Sequence, residues 1–201
     1  MSDWNIIQVA NRGIEVVDET DETVTLRVQA GESWDEFVAW CIDRSYAGIE
    51  AMSGIPGSVG ATPVQNVGAY GQEVSQVITR VEFLDAASHE VSIKPAEFFE
   101  FSYRDSALKR GLKGVIGWVE FKLYKLGGLS VPMASGQITN HVGAEYGSQL
   151  PLGQVREVVL ELRGSKDMVI DESDPNSRSC GSFFTNPVVS AIKELEFPHD
   201  M

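Results

Sequence analysis

Three short segments carry residue types that can do chemistry. The first is Gly54 to Glu73, GIPGSVGATPVQNVGAYGQE, in which five glycines alternate with Pro56, Pro63 and small residues such as Ser58, Ala61 and Ala69. Glycine lets a ligand lie against the main chain, and proline stiffens what glycine leaves loose. Such a loop suits a bound anion or a flat ring; the plainer reading is a set of consecutive turns packed between strands. It carries neither the Gly-Lys-Ser/Thr ending of a P-loop nor the G-x-G-x-x-G dinucleotide fingerprint. The second segment is Tyr103-Arg104-Asp105-Ser106, where Arg104 is either a ligand-facing cation or half of a surface ion pair. The third is Gly181-Ser182-Phe-Phe-Thr-Asn186-Pro187. A lone serine becomes a nucleophile only beside a base. No histidine stands where a hydrolase triad would place one, which argues against acyl transfer.

The elements that must position these segments read as α+β. Strands are expected at 6–9, 14–17, 24–28, 77–84, 91–93 and 115–123, with the acidic run Asp18–Glu22 as a solvated hairpin turn. Val24, Leu26 and Val28 alternate with polar residues, the period of a half-buried strand. Ser33 opens a helix, with Glu36 completing a capping box, and Trp34, Phe37, Val38, Cys41 and Ile42 form one apolar face. Cys41 on that face reads as an inert buried thiol. Pro95 fits the first turn of a short helix to Phe99, and Leu152–Arg163 reads as a second helix ended by Gly164. The stretch 127–146 shows no clear period. Strands outnumber helices without regular β-α-β alternation.

Composition narrows the partners. The 201 residues carry a net charge of −13, with 43% apolar content. That content supports a sizeable core, and the charge argues against general affinity for nucleic acid or anionic lipid. Cys41 and Cys180 are far apart, without a signal peptide or long apolar run, which favours a reduced cytoplasmic setting. His89, His141 and His199 show no metal-ligand spacing, so no metal site is expected.

Taken together and in this order, the segments resemble the UDP-N-acetylenolpyruvylglucosamine reductases, the MurB family. The matching strings are Ile55-Pro-Gly-x-Val-Gly60, Gln65-Asn-Val-Gly-Ala-Tyr-Gly71 with Glu73, Tyr103-Arg-Asp-Ser106 and Gly181-Ser-Phe-Phe-x-Asn-Pro187. Arg12-Gly-Ile14, Ala30-Gly-Glu32 with Trp34, and Lys166 also match in spacing. The resemblance implies an FAD-binding type-2 fold of the vanillyl-alcohol-oxidase kind. It places the second lobe of the FAD-binding domain at 1–165 and the opening of a MurB-type substrate domain at 166–201. It implies FAD and NADPH as cofactors, and reduction of the enolpyruvyl ether of UDP-N-acetylglucosamine to UDP-N-acetylmuramate for peptidoglycan.

By the same resemblance, Ile55, Pro56, Gly57, Ser58, Gly60, Ala61, Asn66, Gly68 and Ala69 lie along the cofactor. Arg104 stabilises the anion left when hydride adds to the enol ether, as a bidentate guanidinium can, and Ser182 protonates it. Lys166 pairs with the nucleotide diphosphate, and Tyr103 and Asn186 belong to the substrate pocket. Three departures shape the expectation. The family's Gly-x-Gly-Ser-Asn lobe and its late glutamate have no counterpart here; Glu172, Glu194 and Glu196 are not in that glutamate's setting. Ser135-Gly136 stands where many members place a tyrosine. The sequence thus matches the middle of the enzyme, and weak flavin retention and little or no turnover are expected of this stretch alone. The alternative is a non-catalytic remnant or binding module that keeps the fold.

Overall fold

The computed structural model describes residues 6–177 and Asn186. Its frame is a six-stranded sheet. The main path runs β1 (Ile14–Glu19), β2 (Thr23–Gln29), β8 (Gly114–Lys125), β6 (Ile78–Asp85), β7 (Val91–Pro95), and the two-residue β3 (Tyr46–Ala47) pairs with the end of β8. All pairings are antiparallel. The β1–β2 and β6–β7 hairpins flank the long central β8, so the strand latest in sequence holds both hairpins together. The alternation expected of β2 holds: Val24, Leu26 and Val28 are fully buried and their neighbours half-buried.

Helix α1 (Trp34–Asp43) packs its predicted stripe on the inner face of the sheet. Trp34, Phe37 and Phe121 form a ring cluster with centroids 5.3 to 6.0 Å apart. Ser33 caps α1 by accepting the Glu36 amide at 3.5 Å, the one half of the expected capping box that forms. Cys41 is buried on this face, and desolvation pushes its thiol well above the usual range, as an inert thiol requires.

After a 3₁₀ turn (Glu50–Met52), the Gly/Pro tract runs beside this core as a longer one (Val59–Gln65) and a small hairpin. The hairpin joins β4 (Gly68–Ala69) and β5 (Gln72–Glu73). Its turn residues Tyr70 and Gly71 both have positive φ, at 51° and 87°, the tight primed turn that follows strand twist. A second apolar cluster, built by Met133, Ile138, Val155 and Val159 around Ala51, joins α2 (Gly136–His141) and α3 (Leu152–Gly164) to the tract.

Several local expectations are corrected. Residues 6–9 form no strand: Ile6 and Ile7 are 92% and 88% exposed. The chain there is held by a side chain instead of a ladder, with Asn11 bonding Gln29, the Gly117 carbonyl and the Gly31 amide. Pro95 ends β7 and caps the 3₁₀ turn Ala96–Phe99 in place of opening it; an edge strand tolerates its missing donor. Gly164 is the last residue of α3, and the left-handed turn falls at Asp167, φ 55°. The unpatterned stretch 127–146 contains the six-residue α2.

Candidate flavin and anion site

Two features divide the predicted cofactor residues. Ser58, Gly60 and Ala61 line a cleft of about 300 Å³ with Ala30, Val64, Leu108 and Val115. Asn66, Gly68 and Ala69 lie apart from it, in and beside the small hairpin. Ile55, Pro56 and Gly57 stand at the rim of the tract and do not line the cleft.

The cleft is formed by close backbone approach. The Gly60 amide donates to the Ala30 carbonyl at 2.8 Å. A Cβ on Gly60 would sit 2.6 Å from the Ala30 Cβ, so no larger residue fits there. The Trp34 amide donates to Gly57 O, and the Val59 amide to Glu32 O, which fastens the tract to the start of α1. Gly57 has φ 118° and open space where a side chain would point. Among the described residues the Gly57 and Ser58 amides donate to no protein acceptor. Adjacent free amides beside small apolar walls suit a flat heteroaromatic ring or an anionic oxygen. A cleft this size takes one ring system, so the described residues fit a part of an FAD molecule.

The tract's entry is fixed by Asp35. Its carboxylate accepts the Gly54 amide at 2.5 Å and both Nη atoms of Arg156 on α3, at 2.6 and 2.9 Å. Burial opposes its charge, but the Arg156 and Gly54 bonds outweigh that and hold its pKa below the usual carboxylate range. A lowered native pKa gives stability that is complete above the unfolded value, near 3.9, and lost as pH falls through the native value. Asp35→Asn is therefore expected to cost about 1–2 kcal/mol near pH 7, less than two undiminished charge-assisted bonds because a third of the side chain meets water. The gap between variant and wild type in urea unfolding should close below about pH 4. A gap constant from pH 7 to pH 2 would show that shape, not charge, makes the contact.

Arg104 stands at the second feature. It is not paired with Asp105, whose carboxylate binds Arg110. Its Nη2 donates to Gly68 O at 2.6 Å and its Nη1 to Glu73 Oε1 at 3.1 Å. The Tyr103 ring lies 4.9 Å from the guanidinium carbon. The structure thus brings Arg104 and Tyr103 to the Gly68–Glu73 hairpin. Asn66 is buried with its polar atoms used internally: Nδ2 donates to Glu73 Oε2 and Ser102 O, both at 2.9 Å, and Oδ1 accepts the Ser75 amide. Its side chain braces the loop. Lys166 is exposed in the turn after α3, and Asn186 is exposed. Ser182 lies outside the described residues. Among the described residues no helix is long and apolar enough to cross a membrane.

Two acids have roles that the sequence reading did not assign. Glu73 joins Arg104 to Asn66. Glu50 is fully buried, accepting the Gly48 amide at 2.5 Å and the Val131 amide at 3.0 Å; burial raises its pKa, against those donors. The one local sign for Glu73 is its capping-box partner Gln76, three residues on.

An FAD binding domain family model matches residues 5–94. The UDP-N-acetylenolpyruvoylglucosamine reductase of Thermobifida fusca is 45% identical over 96% of this chain and 54% of its own length. That of Mycobacterium marinum is 45% identical over 94% of this chain and 51% of its own. The chain thus spans about half the length of the curated relatives it matches. A crystal structure of the Thermus caldophilus enzyme aligns at a TM-score of 0.48 and 22% identity, covering 70% of this chain and 43% of that one. With two curated relatives identical at nearly every second position across almost all of it, the chain belongs to the UDP-N-acetylenolpyruvoylglucosamine reductase family.

Proposed function

We propose that the chain serves an FAD-dependent, NADPH-using reduction of UDP-N-acetylglucosamine enolpyruvate to UDP-N-acetylmuramate, a cytoplasmic step of peptidoglycan precursor synthesis. The observation that carries this reading is the meeting of Arg104 with the Gly/Pro tract through Gly68 and Glu73, the same tract whose Ser58, Gly60 and Ala61 line a ring-sized cleft. Ser58, Gly60, Ala61 and the free Gly57 and Ser58 amides would hold a part of the flavin. When bound, the flavin supplies a two-electron carrier between NADPH and the enol ether.

The chain's own residues then act on charge and proton. Hydride arriving at C3 of the enol ether leaves an electron pair at C2, delocalised into the adjacent carboxylate. Arg104 keeps N–H donors beyond the two bonded to Gly68 and Glu73, and a positioned guanidinium lowers the cost of that charge. Ser182 gives its hydroxyl proton to C2, Lys166 faces the diphosphate, and Tyr103 and Asn186 line the sugar side. Residues 1–165 serve as the flavin lobe and 166–201 begin the substrate domain.

The test is a two-step anaerobic assay with added FAD. It is run on the 201-residue chain and on the product of the complete reading frame containing it. In the latter, NADPH bleaches the flavin, and the enolpyruvyl substrate restores its colour with one UDP-N-acetylmuramate formed per flavin. The Ser182→Ala variant is expected to bleach normally and fail to recover. Bleaching without recovery in the wild type would remove the substrate assignment. Loss of both steps in Ser182→Ala would remove the proton-donor role.

A further inference from the structure

Arg104 is held in an uncommon state. Its own backbone is left-handed, φ 51°, and its carbonyl accepts the Lys109 ammonium at 2.7 Å. A non-glycine residue in that region carries strain unless its surroundings fix it. Its side chain is 24% exposed, so a face remains open to a ligand. Two of its five N–H donors are engaged, one by Gly68 O and one by Glu73.

Glu73 is the centre of this arrangement. One carboxylate oxygen meets Arg104 and the other accepts from Asn66, whose amide also reaches Ser102 O two residues before Arg104. Asn66 has φ 48°, so the bracket stands on a second left-handed residue. The Glu73 amide is held by Gln76 Oε1 at 3.1 Å. Both ends of the Glu73–Arg104 pair are therefore tied to the same two loops, and the carboxylate has little freedom to swing away.

We propose that Glu73 is a positioning residue: its carboxylate, braced by Asn66, fixes the direction in which Arg104 presents its remaining donors to an anionic group of the ligand. The identity of that ligand rests on the reductase reading; the positioning does not. A free arginine side chain gives up about 2 kcal/mol of rotamer entropy when a ligand immobilises it. Here folding has already ordered it, so an incoming carboxylate meets a cation in place. The arrangement has a cost. Glu73 also repels the anion that Arg104 attracts, so its contribution lies in geometry more than in affinity. Its removal should lower turnover more than substrate binding.

The guanidinium of Arg104 can be watched without ligand or cofactor, by ¹⁵N NMR of the 201-residue chain. In the wild type, slow rotation about the Nε–Cζ bond and slow Nε–H exchange are expected. In Glu73→Gln, which keeps size but offers a single oxygen to two donors, Arg104 should show averaged Nη signals and faster exchange. Glu73→Asp keeps the charge and draws the carboxylate back by one methylene from a contact already at 3.1 Å; it should free Arg104 too, and it serves if the Gln variant fails to fold. Glu100→Gln, which loosens the exposed Arg110 pair, is the control and should leave Arg104 unchanged. Arg104 signals as fixed in both Glu73 variants as in the wild type would overturn the proposal. In the loaded reductase, Glu73→Gln should lower kcat on the order of 10²-fold with little change in KM. Failure of the reductase reading shows separately, as a wild type that never re-oxidises with substrate.

Discussion

Trp34→Ala is expected to lower the stability of the protein by about 3–5 kcal/mol, at about 2–4 °C of Tm per kcal/mol for a chain of this size. Trp34 is fully buried at the first position of α1, where the helix, the sheet and the Gly/Pro tract meet. Its ring packs on Phe37 and Phe121, and its indole Nε1 donates to the Met52 carbonyl at 3.1 Å. Truncation removes that apolar area, leaves a void between rigid walls, and orphans a carbonyl that water does not reach. Trp34→Phe separates these terms. It keeps most of the ring and loses the Nε1–H bond, so the expected cost falls to about 1–3 kcal/mol. Urea unfolding by tryptophan-independent circular dichroism reads both variants. The backbone bond from the Trp34 amide to Gly57 O survives either change. The tract should therefore loosen at Met52 and Ser53 before it loosens at Gly57, a gradient that amide hydrogen exchange resolves. A Trp34→Ala protein within 1 kcal/mol of wild type would mean that α1 can collapse onto the sheet, and that the tract is not anchored through this ring.

The contrast between Trp34 and Glu50 shows what the sequence makes legible. Trp34, Phe37, Val38 and Cys41 recur at helical spacing, and a periodic apolar face has one stable use, burial. Glu50 sits among Gly48, Ile49 and Ala51 with no period to mark it. Its burial follows from the Val131 amide, 81 residues away in sequence, which no local pattern can announce. The same holds for Arg104, which meets Glu73 and Gly68 across 31 and 36 residues from a left-handed backbone of its own. Residues 6–9 fail in the opposite way. Their β-branched, apolar character is sound, but a strand needs a partner, and there Asn11 meets the sheet through its side chain. Family motifs named the candidate segments as wholes. They were silent on which side chains within them, like that of Asn66, spend their polar atoms on bracing the loop.

Gly68→Ala is expected to unlock Arg104 and to destabilise the protein at the same time. Gly68 has no unusual φ, so the objection to a side chain there is space, not backbone strain. A Cβ would lie 2.4 Å from Gln72 O, 2.8 Å from the Glu73 Cγ and 2.9 Å from Arg104 Nη1. The first of these is a backbone atom of the paired strand, which cannot move without opening the β4–β5 hairpin. The hairpin is itself pinned, since a Cβ on Gly71 would meet the Ala134 carbonyl at 2.7 Å. Overpacking of this kind costs about 1–3 kcal/mol, and the close main-chain contact with Gln72 O places Gly68→Ala near the upper end. Gly57→Ala is the informative comparison. Gly57 has φ 118° and nothing within 4 Å of its would-be Cβ, so alanine there strains the backbone, also by about 1–3 kcal/mol, without touching Arg104. Two variants of similar stability loss should then differ in one respect. Gly68→Ala averages the Arg104 guanidinium signals and lowers turnover of the loaded reductase on the order of 10²-fold, whereas Gly57→Ala leaves those signals as they are. If both variants free Arg104 equally, its order depends on global stability and not on the Gly68–Glu73 frame. If neither does, the Gly68 carbonyl and the Glu73 carboxylate are not what holds it.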